Sequence, residues 1–178
     1  MINKKYLKLQ RNRSINSKGN FIYEIISKRI IDSIDLINIT FKEVLEIGIN
    51  DNKIYDYITN KHKKVNISRS DISYKKEIGK IENNFISFDI DNWELKNKFY
   101  DLIYSNCYLH LSNNFEKVIN NIHNSLNPNG FFIASLPDVD NISQLVHSLY
   151  DTDLELYNGV YQRINPTKSI DDILSILK

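Results

Sequence analysis

The stretch "FKEVLEIGINDNKIYDYI", residues 41–58, reads as a short apolar strand, a tight turn and the opening of a helix. The strand is "EVLEI" at 43–47, the turn begins at Gly48, and helical spacing runs over 51–60. A turn of this kind, from strand into helix, is where a nucleotide-type ligand sits, on a glycine-rich loop. Here Gly48 stands alone, with Asn50 and Asn52 where further glycines would be expected. Asparagine tolerates left-handed backbone better than any residue except glycine, so the turn can persist. Its side chains then project toward the space a ligand would fill.

Outward from this turn, apolar bursts alternate with helical patterns. Residues 21–37 place Ile22, Ile25, Ile26, Ile30, Ile34 and Ile37 at helical spacing, with polar Glu24, Lys28, Asp32 and Asp35 opposite. Further strands are expected at 64–68, 85–88, 100–106 and 131–136, and helices at about 72–79, 113–126, 141–149 and 168–177. Asn127-Pro128-Asn129-Gly130 is an evident helix stop. Such alternation specifies an α/β protein, a Rossmann-like parallel sheet with helices on both faces. Ligands of these sheets bind beyond the carboxyl ends of the strands. The candidate pocket is therefore lined by Gly48–Asn52, Ser70–Ser73, Asp89–Asn92 and Ser105–His110. Residues 1–20 form a basic arm or lid, and 21–178 a single domain.

Composition narrows the function classes. The chain of 178 residues is 42% hydrophobic and 25% charged, ordinary globular usage for one domain. A net charge of +1 gives no electrostatic case for nucleic acid or an anionic membrane. The abundance of Ile, Asn, Lys and Tyr reads as the codon bias of an AT-rich genome, which also erodes glycines. One cysteine, Cys107, excludes an internal disulfide and a cysteine-based zinc site. His62, His110, His123 and His147 show no metal-ligand spacing, so no metal is expected. No apolar run is long enough to span a membrane, and the start "MINKKYLKLQRNR" lacks a signal-peptide core. A cytoplasmic location follows as the expectation.

With these loops in hand, the chain resembles the class I S-adenosylmethionine-dependent methyltransferases. "VLEIGIND" is similar to their first motif, and "SRSDIS" at 68–73 to the acidic end of their second strand. "FISFDIDNWELKNKFYDLIYSNCYLHLSN" resembles their third and fourth strands, and "SLNPNGFFIASLPD" their turn into the fifth. "RNRS", the Ile-rich helix and "YLHLSN" bring it nearest to a smaller group. That group holds the malonyl-carrier-protein methyltransferases of biotin synthesis and the methyltransferase-like mitochondrial complex I assembly factors. The resemblance implies strand order 3-2-1-4-5, S-adenosylmethionine as cofactor, and methyl transfer to a small-molecule or carrier-bound acceptor.

It also implies roles for individual residues. Glu46 would orient the methionine portion of the cofactor, and Gly48 would let the backbone approach it, with Asn50 alongside. Asp71, 23 positions after Gly48, would bind both ribose hydroxyls. Ile72 and Ile90 would sandwich the adenine, and Asp89 would accept its amino group. In "DIDN" the same Asp89 also suits an Asx turn. Ser105 and Asn106 would flank the methyl donor and substrate. Tyr108 and His110 would line the substrate entrance, with His110 as a candidate base. A carboxylate acceptor would need no base, being ionised already. The basic arm, with Arg11 and Arg13, would fold over the cofactor.

Family members usually end in two further strands beside the fifth. This sequence stops at "SIDDILSILK", so the resemblance implies either a fragment or a shortened domain, without the C-terminal antiparallel hairpin. The fifth strand would then be an exposed edge suited to a homodimer. Two other readings stand beside the enzyme. One is a non-catalytic assembly or binding protein on the same fold. The other, a dinucleotide-binding oxidoreductase, is disfavoured by the missing Gly-x-Gly-x-x-Gly.

Overall fold

The computed structural model describes residues 2–14, 21–73, 84–93, 95, 97–164 and 168–177. Residues 3–136 form one compact unit and residues 137–178 belong to another.

The first unit is built on a five-stranded, all-parallel sheet in the order β3-β2-β1-β4-β5. Its strands are β1 (Glu43–Ile47), β2 (Asn66–Asp71), β3 (Phe85–Ser87), β4 (Tyr100–Asn106) and β5 (Leu126–Ser135). The helices are α1 (Lys4–Arg13), α2 (Phe21–Asp35), α3 (Lys53–Lys61) and α4 (Phe115–Ser125). This is the α/β, Rossmann-like architecture and strand order expected from the sequence. β1 and β4, each flanked on both sides by other strands, are buried at successive positions and so on both faces, as a covered parallel sheet requires.

Alternation along the strands divides the core. Val44 on β1 and Leu102 and Tyr104 on β4 meet Ile30 and Ile34 of α2, Ile54 and Ile58 of α3, Phe41 and Ile67. On the opposite parity Leu45, Ile47 and Ile103 are fully buried. α4 contributes Phe115, Val118, Ile119 and Ile122, one apolar stripe at helical spacing.

Several boundaries differ from the sequence reading. In α2 only the second half of the isoleucine stripe is buried, and Ile22 and Ile25 are each 54% exposed. The first half instead lies by the carboxyl end of β4, where Asn106 donates to the Tyr23 carbonyl and the Ser27 hydroxyl. β2 runs to Asp71, three residues beyond the expected strand, because Arg69–Asp71 pair with Phe85–Ser87 of β3. β5 starts at Leu126, upstream of the expected Phe131. The Asn-Pro-Asn-Gly segment is taken into it as an irregularity, with register moving from Tyr100↔Leu126 to Leu102↔Phe131. Asn129 takes the left-handed backbone there, at φ 66°. The helix expected at about 72–79 lies mostly on residues outside those described.

Within the basic N-terminal segment, Lys4–Arg13 are helical. Asn3 caps α1 by accepting from the N–H groups of Lys5 and Tyr6, and Arg11 and Arg13 stand in its last turn. Both features favour a helix, the cap by satisfying end N–H groups and the arginines by complementing the dipole.

In the second unit, α5 (Ser143–Tyr157) extends well past the expected residue 149 and ends at left-handed Asn158. Asp153, buried there, accepts from the Tyr161 N–H and pairs with Arg163. α6 (Ile170–Leu177) follows. Among the described residues, no helix is long and apolar enough to cross a membrane.

Candidate functional site

The carboxyl ends of β1, β2 and β4 converge on Gly48. Its backbone is left-handed at φ +81°, and its N–H donates to the Ser70 carbonyl at 2.8 Å. A β-carbon at this position would lie 2.1 Å from Cγ of Tyr108, so glycine is demanded by packing as well as by φ. Tyr108 reaches Gly48 because Cys107 also turns left-handed, at φ 48°, as the chain leaves β4. The Cys107 N–H is held by the Ser135 carbonyl and hydroxyl at 3.1 and 2.9 Å. Across the loop, the Tyr108 phenol accepts the Ile72 N–H at 3.2 Å. Burial, then the nearby Asp71 charge, push this phenol well above its ordinary pKa, so it keeps its proton.

Asp71 is fully buried, and each of its oxygens has two donors. Oδ2 accepts the Ile49 N–H at 3.0 Å and pairs with Nη2 of Arg11. Oδ1 accepts the Ser73 N–H at 3.0 Å and Nε of Arg11 at 3.4 Å. Arg11 also donates to Oδ1 of Asn50 at 2.8 Å and to the Ile49 carbonyl at 3.0 Å. Its guanidinium lies 4.9 Å from the Tyr108 ring centre, a cation–π contact. α1 thus places an arginine against the carboxylate assigned to a ribose.

A second pairing ties α1 to the loop after β3. Lys4 Nζ stands 3.0 Å from Asp89 and 2.6 Å from Asp91, and donates to the Leu111 carbonyl at 3.1 Å. Asp89 also forms the Asx turn, accepting the Asp91 N–H at 3.1 Å. Asp91 further accepts the Ser112 hydroxyl at 2.5 Å and the Asn113 N–H at 3.0 Å. Burial works against ionisation of Asp91, but these donors and Lys4 hold its pKa down at about 2.

Glu46 is drawn into a separate cluster. It pairs with Arg69, which is almost wholly buried on β2. Arg69 also donates to Asn52 Oδ1 at 2.7 Å and the Asp51 carbonyl at 2.9 Å, and lies over Tyr55 at 4.6 Å. Burial pushes the Glu46 carboxyl up and Arg69 opposes it.

The expected site residues therefore separate. Gly48, Asn50, Asp71, Ile72 and Tyr108 gather around Arg11, Asp89 joins them through Lys4, and Glu46 turns to Arg69. Asn50 is engaged on both sides of its amide, donating to the Asn106 carbonyl at 2.5 Å. Ser105 is fully buried at the end of β4. Its hydroxyl donates to the Ile47 carbonyl at 2.8 Å, mirroring Ser70, which donates to the Glu46 carbonyl at 2.8 Å from the other side of β1. Tyr108, expected at the substrate entrance, is buried against Gly48. Ile90 is buried and Ile72 half-buried. His110 sits in a 3-10 turn, its Nδ1 buried without a hydrogen-bond partner among the described residues. Burial, then the Arg11 charge, lower its pKa and keep the ring neutral.

The sequence reading misses Arg69, and has Lys4 only as one member of the basic arm. Arg69 carried a signal, since an arginine in a central strand is buried only when paired, and Glu46 ends the neighbouring strand. The pairing of Lys4 with Asp89 and Asp91 had none, since Lys4 is one of several lysines near the start.

Comparison with known proteins fits this architecture. A family profile described as a methyltransferase domain matches residues 21–173. Malonyl-[acyl-carrier protein] O-methyltransferase 2 of Ilyobacter polytropus is 32% identical over 99% of this chain and 72% of its own length. The human mitochondrial arginine-hydroxylase NDUFAF5 is 27% identical over 90% of this chain and 48% of its own. Among solved structures, the plantazolicin methyltransferase BpumL in complex with SAH aligns with TM-score 0.62 at 19% identity, over 98% of this chain and 75% of that one. The chain belongs to the methyltransferase-domain family. Within the class I S-adenosylmethionine-dependent type it lies near the carrier-protein methyltransferases and the NDUFAF5 group. It spans about half the length of the NDUFAF5 relatives.

The Glu46–Arg69 pair sets a testable energetic pattern. Arg69→Met alone strands a buried carboxylate and should destabilise the fold by about 3–5 kcal/mol. Pairing it with Glu46→Leu should recover most of that loss. Urea unfolding checks both, and equal destabilisation of single and double variants would contradict the pairing.

Proposed function

We propose that this chain binds S-adenosylmethionine and transfers its methyl group to a carboxylate of a small-molecule or carrier-bound acceptor. The observation that carries the reading is Asp71, a buried acid at the end of β2 beside the left-handed Gly48 turn of β1. It is supported by membership of the family and by a relative named as a malonyl-carrier-protein O-methyltransferase. When bound, the cofactor would supply an electrophilic methyl group. The residue types suit it, and in the arrangement here they are engaged by groups of the chain itself. Arg11 takes the Asp71 lone pairs, Tyr108 lies on Gly48, and Glu46 is committed to Arg69. Binding therefore requires α1 to leave Asp71.

A carboxylate acceptor suits the side chains present. It needs no base, and the site offers a phenol that keeps its proton and a histidine with a buried Nδ1. Tyr108 and His110 are accordingly proposed to shape the site, with no proton-transfer role. The same closed arrangement favours the second reading, a protein that keeps the fold for binding or assembly without catalysis.

Titration calorimetry separates the two. Weak but measurable binding of S-adenosylhomocysteine, weakened about tenfold or more by Asp71→Ala, is expected for the enzyme. No heat at millimolar cofactor would leave the binding or assembly reading.

A cytoplasmic location and a homodimer belong to the same proposal. β5 pairs only with β4 among the described strands, and its Phe131 is exposed. Light scattering coupled to size-exclusion chromatography should give twice the 20.9 kDa chain mass, and a monomer at high micromolar concentration would refute the edge contact.

A further inference from the structure

We infer that α1 is an intramolecular occupant of the nucleoside half of the site, with Arg11 competing directly against a ribose diol for Asp71. The inference rests on the cofactor reading above and goes beyond it by naming the residue that regulates access.

The lone-pair count makes the competition direct. An ionised carboxylate offers about four acceptor positions. In Asp71 two are taken by the backbone N–H groups of Ile49 and Ser73, and two by the Arg11 guanidinium. A diol brings two hydroxyl donors to the same oxygens and finds them filled. If Arg11 withdraws, Asp71 keeps its two backbone donors and presents two open positions, one per oxygen, which is what a diol requires. The arginine and the diol are therefore alternatives at one carboxylate.

Lys4, two turns earlier in α1, repeats the logic at the loop after β3. Its ammonium is shared by Asp89 and Asp91, so the acid assigned to a purine amino group is also engaged by the helix. Next to Arg11, Asn12 accepts from the Ser73 hydroxyl, fastening α1 to the strand end that carries Asp71. One ten-residue helix thus covers both nucleoside-binding acids.

The helix is held in a way that permits release. Its buried residues are Leu7 and Arg11, so its attachment depends on polar pairs with little apolar area behind them. Ten residues are too few for a stable helix in isolation, and α1 loses support once those pairs break. Tyr108 completes the closure, since its ring lies under the Arg11 guanidinium and over Gly48. With Arg11 gone the ring loses its cation, and the Ile72 N–H remains its hydrogen-bond partner.

For such a protein the apparent affinity is the intrinsic affinity reduced by the fraction of molecules with α1 released. Neutralising the latch should raise that fraction, so Arg11→Gln and Lys4→Gln are expected to tighten binding of S-adenosylhomocysteine, Arg11→Gln by about tenfold or more. The test uses the full chain, with calorimetry for affinity and amide hydrogen exchange over residues 5–13 for the helix. Arg11→Gln leaves Asp71 its two backbone donors, and Lys4→Gln lies at the far end of α1, so the pair guards against a folding failure in either. Tighter binding together with faster exchange in α1 supports the inference. Unchanged or weaker binding in both variants overturns it, as does undiminished protection of α1 in Arg11→Gln. If no form binds S-adenosylhomocysteine, the cofactor reading fails along with the competition. Hydrogen exchange then still decides whether Arg11 latches the helix.

Discussion

The carboxylate of Asp71 is the point on which the ligand end of the sheet depends. It closes the turn after β1 through the Ile49 N–H, the turn after β2 through the Ser73 N–H, and α1 through Arg11. A buried acid needs such a set of donors, because an unpaired charge without water is far costlier than any single hydrogen bond is favourable. Three segments distant in sequence are thereby brought to one group. The positions of Gly48, Tyr108 and Asn50 follow from it.

Glycine-poor loops are held here by side chains. In a glycine-rich loop the backbone itself approaches a ligand. Here Asn50 links Arg11 to the carbonyl of Asn106, and Asn52 accepts from Arg69. Each amide makes a bond that fixes the loop, and each sits beside a buried ion pair. The result is a site whose acids, Glu46, Asp71 and Asp89, are matched by cations of the same chain, Arg69, Arg11 and Lys4. The family fold is kept, and access to its ligand end becomes a question of which pairs can open.

Much of this was legible in the sequence, and for physical reasons. Short apolar strands alternating with helical stripes specified the parallel sheet, because strands covered on both faces have few polar positions. The loop positions of Gly48, Asp71 and Asp89 followed from the rule that such sheets bind ligands at their carboxyl ends. What escaped was decided by contacts between distant segments. Nothing local in "KKYLKLQRNR" says that Arg11 will find Asp71, and the same basic pattern suits a solvated terminus. The place of Ser105 at a strand end is readable from sequence, but the hydrogen bond of its hydroxyl to the Ile47 carbonyl of β1 is not. The left-handed backbone of Cys107, which sets Tyr108 over Gly48, has no sequence signal either. The Asn-Pro-Asn-Gly stop was real as a local irregularity, yet pairing with β4 drew it into the strand.

The central claim is that one carboxylate serves either an internal arginine or a ligand. Nitrogen-15 spectroscopy of the Arg11 Nε–H group during titration with S-adenosylhomocysteine measures this most directly. The account predicts a protected, shifted Arg11 resonance without ligand, which collapses to the solvent-averaged arginine position as the ligand saturates Asp71. An Arg11 resonance that stays protected and unmoved at saturation would contradict it.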